Sequence, residues 1–227
     1  MTEYTLKNEY NRGPYNKFDD EQQYIRLSEG CPNRCLYCAE SHECGIEPIY
    51  FEIPEIVRNE VTILDMNLLY KPKALEIIKD LGNRKVNNKV VHYQLTCGID
   101  YRHLTPELSV ALKQARFYNI RFAWDGSFTL QKKMKNTVEL LTNAGHENRK
   151  ISVFIIADYK ISYEDCCKKL DLLKIWRVKV NDCYFDNTTA PNFQCNYWTL
   201  EQCKDFRKKC RDHNKYITFG YDPELKG

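Results

Sequence analysis

Cys31, Cys35 and Cys38 lie in one run, Cys-Pro-Asn-Arg-Cys-Leu-Tyr-Cys, with the spacing C-x₃-C-x₂-C. Thiolates are the ligands of choice for soft metal centres, and a cubane 4Fe–4S cluster is ordinarily held by four of them. Three leave one iron open. An open metal position points to chemistry, whereas a closed one points to structure. The competing reading of the same thiols is a structural zinc site, with Cys44 or His42 as the fourth donor. Disulfides fit less well: the 11 cysteines are an odd number, and no apolar leader-like stretch opens the chain. The expectation is a reducing compartment and a cytoplasmic protein.

With Tyr37 in the aromatic slot before Cys38, the motif C-x₃-C-x-aromatic-C resembles the signature of the radical S-adenosylmethionine (radical SAM) enzymes. The resemblance implies a 4Fe–4S cluster on Cys31, Cys35 and Cys38, with S-adenosylmethionine (SAM) chelating the open iron through its amino and carboxylate groups. It implies reductive cleavage of SAM to methionine and a 5′-deoxyadenosyl radical, which takes hydrogen from a substrate. An electron donor such as flavodoxin or ferredoxin follows from the same resemblance. The overall reaction could be that of an oxidoreductase, a lyase or a transferase.

Composition sets the bounds around that motif. A chain of 227 residues, 29% charged and 43% hydrophobic, is ordinary for a soluble globular domain with a sizeable core. We expect one domain over 1–227, with an N-terminal extension at 1–20 and a C-terminal helix and short strand within 195–227. No run approaches the ~18 apolar residues of a membrane helix. The net charge of +3 does not by itself call for nucleic acid. Clusters such as Gln131-Lys132-Lys133-Met134-Lys135 and Arg207-Lys208-Lys209 read first as solvated helix faces. The 16 tyrosines are many; they can pack at the edge of a core or stack on bases.

The elements that must position the cysteines follow a strand–helix rhythm. A first strand, Gln23-Tyr24-Ile25-Arg26-Leu27, precedes the motif, and further β-rich runs begin at Val61, Val90, Ile120, Ile151 and Arg177. The spacing is roughly 30 residues, the size of one βα unit. Between the strands, Ala74, Ile77, Ile78 and Leu81 form a helical stripe, with Pro72 at its start and Gly82 as a candidate C-cap. Thr105-Pro106-Glu107 starts another helix. Leu130, Met134, Val138 and Leu141 line a third, ended by Gly145. Ser162 with Asp165, and Thr199 with Gln202, resemble capping boxes ahead of the stripes Cys166, Leu170, Leu173 and Cys203, Phe206, Cys210. Tyr216-Ile217-Thr218-Phe219 reads as a closing edge strand.

Alternating strands and helices predict an α/β fold with parallel strands and right-handed crossovers. The resemblance sharpens this to a partial (β/α)₆ TIM-like barrel, with the cluster loop after the first strand. Reactive groups in such barrels gather at the carboxyl ends of the strands. By resemblance, Tyr37 lies near the adenine. Asp65 and Asn67 stand where many family members carry a Gly-Gly-Glu run for the SAM amino group. Thr96, Asp125 and Asn181, at later strand ends, are further candidates for SAM, with Asp125 as a ribose acceptor. Asp125-Gly126 is equally a turn signal. Among the other cysteines, Cys183, Cys195, Cys203 and Cys210 could hold an auxiliary cluster, but burial in the core is the expected role. Cys97 stands at a strand end.

A small molecule, a nucleotide or a nucleic-acid base fits the open mouth of a compact barrel. The tyrosine-rich, mildly basic composition tilts the expectation towards a nucleotide or nucleic-acid base. The alternatives are a glycyl-radical enzyme activase acting on a partner protein, and a non-catalytic zinc-binding module.

Overall fold

The computed structural model describes residues 22–38, 44–185 and 197–220. The chain divides into two compact units, Met1–Ile120 and Arg121–Gly227. His42, Cys195 and the expected extension at 1–20 lie outside the described residues.

The first unit is built on three parallel strands, β1 (Gln22–Ile25), β4 (Glu60–Ile63) and β7 (His92–Leu95), in the order β1-β4-β7. Their register sets Ile25 against Ile63 and Ile63 against Leu95. On the face that also carries Val61 and Tyr93, these side chains are buried, and Tyr93 donates to the Leu81 carbonyl at 2.8 Å. The opposite face carries a polar chain. Gln94 donates to Thr62 Oγ1 at 3.0 Å, Gln22 reaches the same hydroxyl, and Tyr24 donates to Gln22 at 3.1 Å. Between β1 and β4, the two-residue strands β2 (Ser28–Glu29) and β3 (Ile49–Tyr50) pair antiparallel. A second small ribbon, β5 (Lys85–Val86) with β6 (Lys89–Val90), turns through Asn87 and Asn88, both at positive φ (51° and 61°) as a tight hairpin turn requires. The run predicted from Val90 is thus divided, Val90 closing the ribbon and His92 opening β7.

Helix α1 (Ala74–Asn83) buries Ala74, Ile78 and Leu81. Gly82 is not its C-cap but its last-turn contact: a Cβ there would come within 3.1 Å of Ala115 Cβ, so the missing side chain lets two helical segments approach. Helix α2 (Pro106–Gln114) starts as its sequence predicts, with Pro106 in the first turn and Thr105 Oγ1 accepting from Leu108 N at 3.2 Å.

The second unit holds three more parallel strands, β8 (Arg121–Ala123), β9 (Ser152–Ala157) and β10 (Lys179–Tyr184), in the order β10-β9-β8. Phe122, Val153, Ile155, Ala157 and Val180 are buried. Arg177, the predicted start of the last strand, instead ends a helix at φ 57°. Helices α3 (Gln131–Asn143) and α4 (Tyr163–Trp176) follow their predicted stripes, and Ser162 Oγ accepts from Asp165 N at 3.1 Å.

The expected edge strand Tyr216–Phe219 is absent. These residues complete α5 (Leu200–Phe219), which opens on the full Thr199–Gln202 capping box and ends at Gly220 with φ 70°. A buried stripe of Cys203, Phe206, Cys210, His213 and Ile217 runs its length. The helical period of this stripe overrides the β propensity of four residues. Helix α5 also does what a seventh strand would have done. Asn214 Oδ1 accepts from Val180 N at 2.9 Å, and its Nδ2 donates to Val180 O at 2.7 Å. One side-chain amide thereby satisfies both backbone groups of a buried strand residue. His213 adds a 2.8 Å hydrogen bond from Nε2 to Val178 O, which fixes the neutral tautomer protonated at Nε2.

Removing the Asn214 amide orphans the Val180 backbone. Asn214→Ala should cost about 2 kcal/mol, read as a lower urea midpoint with an unchanged slope; a loss of a few tenths would show that the edge does not depend on it. Burial depresses the His213 pKa below 6.5, with Lys174 adding to the shift while the Val178 hydrogen bond and Asp171 oppose it. As pH falls through 6.5 the unfolded chain takes up this proton before the folded one does, so stability is complete above 6.5 and declines below it. His213→Phe should flatten that decline in urea midpoints measured from pH 7.5 to 5.5.

Candidate metal centre

The cysteine loop leaves the first sheet immediately after β1, and its base is held by one buried carboxylate. Asp65, just beyond the carboxyl end of β4, accepts from Leu27 N at 2.6 Å and from Ser28 Oγ at 2.5 Å. It is fully buried. Lys71 completes the clasp, donating to Leu27 O at 2.6 Å and lying 5.1 Å from the Tyr50 ring centroid. Burial raises the Asp65 pKa, while Ser28, Leu27 and the charge of Lys71 pull it back down. Burial lowers that of Lys71, and Asp65 opposes the change. A carboxyl group out of water is kept only when its hydrogen-bonding positions are filled, as they are here by Leu27 N and Ser28 Oγ.

Beyond the clasp the chain turns sharply. Gly30 has φ 86°, and a Cβ there would meet Ile46 O, Glu47 O and Pro48 Cα at 3.2–3.3 Å. Cys31 is buried and forms an isolated parallel bridge with Cys44. Gly45 N donates to Cys31 O at 2.7 Å and to Asn33 O at 3.0 Å. A turn from Cys35 to Cys38 is closed by a 3.0 Å backbone hydrogen bond. Cys35 and Cys38 are half-buried, as is Tyr37 between them, while Leu36 points to solvent.

The thiols feel one another. Burial raises the Cys31 pKa, the Asn33 backbone hydrogen bond opposes this, and repulsion from Cys35, Asp100 and Cys38 adds to it. Burial also lifts Cys44, to about 11, helped by a hydrogen bond with Cys38 and by repulsion from Cys38, Cys35 and Cys31. Among the described residues no three such donors converge as a preformed metal cage. The donor set is nonetheless right for iron–sulfur chemistry: soft thiols, close in space on one clasped loop, whose mutual repulsion a bound cationic centre would relieve.

A second cluster borders the loop. Asp100, past the end of β7, receives Asn33 Nδ2 at 3.2 Å, Asn67 Nδ2 at 2.9 Å, and Arg102 through Nε at 2.7 Å and Nη2 at 2.6 Å. Burial would raise its pKa, but the Arg102 hydrogen bonds and that from Asn33 prevail and hold it below the usual carboxylate range. The hydrogen bonds to Asp100 raise the Arg102 pKa, and Cys35 contributes to the same shift, which places the guanidinium within reach of the cysteine loop's field. Asn67 is only 4% exposed, and its Oδ1 is buried without a hydrogen-bond partner among the described residues. Buried polar groups are rarely left so; this one is an acceptor awaiting a donor.

The sequence-predicted residues divide accordingly. Cys31, Cys35, Cys38, Tyr37, Asp65 and Asn67 fall in or beside the loop of the first unit. Asp65 spends both oxygens on the loop itself, while Asn67 keeps an open acceptor. Thr96 is exposed and continues the sheet by donating its backbone N–H to Ile63 O at 3.1 Å. Cys97 is exposed, its sulfur 3.6 Å from that of Met66. Asp125 and Asn181 belong to the second unit. Asp125 follows β8, in the electrostatic reach of Lys169 and Cys183. Asn181 lies within β10, level with Phe154. Cys203 and Cys210 are buried core residues, as expected.

Sequence reasoning missed Asp100 with Arg102, and Lys169. Lys169 is fully buried in α4 and donates to Trp124 O and Gly126 O, both at 2.8 Å, clamping the backbone on either side of Asp125. Its position inside the stripe of Cys166, Leu170 and Leu173 was the available signal, because a lysine on a buried helical face needs a partner.

No protein-family model matches the chain. Two curated proteins do, each named ribosomal protein uS12 methylthiotransferase RimO, from Trichormus variabilis and from Nostoc sp.. Both are 29% identical over 107 residues, spanning 40% of this chain and 23% of the relative. A solved structure, the radical SAM methyltransferase TsrM from Kitasatospora setae with cobalamin and a [4Fe-4S] cluster bound, shares the fold. It has a TM-score of 0.58 and 13% identity, covering 78% of this chain and 38% of that one. The structural likeness shows a shared fold, and the sequence likeness is confined to a minority of both chains.

If Asp65 clasps the loop, Asp65→Ala should destabilise the protein by about 2–4 kcal/mol, the cost of leaving the Leu27 N–H and the Ser28 hydroxyl without their buried acceptor. Denaturant titration checks this, and a loss below ~1 kcal/mol would assign the anchoring elsewhere.

Proposed function

We propose that this chain works as a radical SAM enzyme, with Cys31, Cys35 and Cys38 holding a 4Fe–4S cluster. The observation that carries the reading is the clasped three-thiol loop lying beside a buried, unpartnered acceptor, Asn67 Oδ1. When bound, such a cluster supplies the electron that splits the sulfonium of SAM into methionine and a 5′-deoxyadenosyl radical. Everything else is the work of the protein's own residues.

Asn67 Oδ1 is the acceptor for the SAM ammonium, and the negative charge of Asp100 behind it favours that cation. Arg102 turns Nε and Nη2 towards Asp100, and its remaining nitrogen Nη1 is the donor for the SAM carboxylate. Asp65 holds the loop in register and makes no contact with SAM. Tyr37 lies beside the adenine, and Thr96 is a further contact just beyond β7; Asn181, expected at a strand end, lies in the middle of β10. The partial (β/α)₆ barrel belongs to the same proposal; each unit, taken by itself, holds three parallel strands. A flavodoxin or ferredoxin is the electron donor in this reading.

Group transfer is the favoured reaction class, because one relative is named a methylthiotransferase and the structural neighbour a methyltransferase. The chain spans less than a quarter of the RimO relatives' length, and their target does not carry over with the match. For the substrate we favour a nucleotide or nucleic-acid base. Support comes from aromatic rings just beyond the carboxyl ends of β9 and β10. Tyr159 lies 4.7 Å from Phe185 and 5.9 Å from Tyr197, centroid to centroid. Lys160 stands 5.7 Å from the Tyr159 ring and Arg207 4.5 Å from that of Tyr184. Rings interleaved with cations are how proteins stack bases and neutralise phosphates.

One observation favours a second reading. Cys44 lies beside Cys38, and four thiols also suit a zinc site. Metal content separates the two. Anoxically reconstituted protein should be brown with about four irons and four sulfides per chain; a colourless protein with one zinc would establish the module instead. With dithionite and SAM the enzyme should release 5′-deoxyadenosine, and Cys35→Ala should abolish it. Asn67→Ala should weaken SAM binding by about tenfold or more, the value of one hydrogen bond to a charged group, in an equilibrium titration under anoxic conditions.

A further inference from the structure

The cysteine loop carries one sulfur more than its motif requires. Cys44 reaches the trio by two independent contacts: its backbone bridges that of Cys31 in parallel register, and its Sγ lies 4.0 Å from Cys35 O. The position is fixed from the following residue. Gly45 sits at φ 75°, donates its N–H to both Cys31 O and Asn33 O, and packs so closely on Arg34 that a Cβ would lie 2.9 Å from its side chain. The bridge is a single isolated pair, so the backbone delivers the thiol to the edge of the trio.

We propose that Cys44 is a displaceable fourth ligand: its thiolate closes the open iron when SAM is absent and yields that position when SAM arrives. This rests on the cluster reading above. Ligation is a pure exchange. The Cys44 thiol loses its proton to water as its sulfur lone pair binds iron. On SAM binding that Fe–S bond would break and the thiolate would recover a proton; the one position it vacates would pass to the SAM amine nitrogen, with the carboxylate oxygen adding beside it as the coordination number rises by one. No electron changes hands. The device has a use, because an iron lacking a protein ligand is the one lost on oxidation. A resident thiolate retains it between turnovers. The cost is a weaker apparent affinity for SAM, reduced by the fraction of protein in the open form.

The test compares wild type, Cys44→Ser and Cys44→Ala, with Cys97→Ser as a thiol-removing control outside the loop. All are reconstituted anoxically and matched for iron, sulfide and circular dichroism, then treated with ferricyanide. Wild type and Cys97→Ser should retain the cubane, whereas both Cys44 variants should develop the paramagnetic 3Fe–4S signal rapidly. SAM affinity should rise in the Cys44 variants by about tenfold if the open form is about a tenth populated. Equal conversion rates and equal SAM affinities in wild type and variants would overturn the proposal while leaving the cluster reading intact. Failure of wild type itself to take up a cubane would remove both. Should Cys44→Ala fold poorly, Cys44→Ser keeps the comparison, since a hydroxyl preserves the volume and hydrogen bond but is a poor ligand for iron.

Discussion

A single desolvated carboxylate sets the geometry on which the cysteine loop depends. Asp65 belongs to the end of one strand and binds the backbone at the end of its neighbour. It therefore converts the register of a parallel sheet into the position of a loop that has little regular structure of its own. The sheet is rigid because its buried face is close-packed. The loop borrows that rigidity through two hydrogen bonds and the charge of Lys71. Thiolates alone would not choose this geometry, since their like charges favour spreading apart.

Charges of both signs border that loop. Arg102 feels Cys35, while Asp100, which Arg102 holds, also opposes ionisation of Cys31. Asn67 and Asn33 join Asp100 from two other segments. A network that collects side chains from three loops onto one carboxylate is stiff in a way that a single ion pair is not. It leaves one oxygen unsatisfied, at Asn67, and the structure tolerates this at a depth where such omissions are costly. Sites that bind small charged ligands are where proteins keep such strain.

Much of this was legible in the sequence, for identifiable reasons. The three cysteines declare themselves by spacing, because metal ligation fixes sequence separation on a short loop. The strands and helices show in their hydrophobic period, and Thr105, Ser162 and Thr199 in their capping chemistry. What escaped was tertiary in origin. A carboxylate at a strand end reads the same whether it faces a cofactor or a backbone N–H, so the bonds from Leu27 N and Ser28 Oγ to Asp65 were not visible in one dimension. Gly82 looked like a terminator because glycine's freedom of backbone and its lack of a side chain cannot be told apart in one dimension. Tyr216–Phe219 looked like a strand because four residues are too few to reveal a helical period; only the stripe from Cys203 onwards does so. Arg102 gave no signal, since its meaning lies in neighbours distant along the chain.

The amide of Asn214 has one more consequence. An outermost strand with free peptide groups is an invitation to any passing extended chain, and proteins must defend that border to remain monomeric. Here the border is sealed at Val180 by a side chain mounted on a helix, which cannot itself be extended. Among the described residues β10 pairs with no further strand on that side, and at Val180 its margin is covered by a residue of α5.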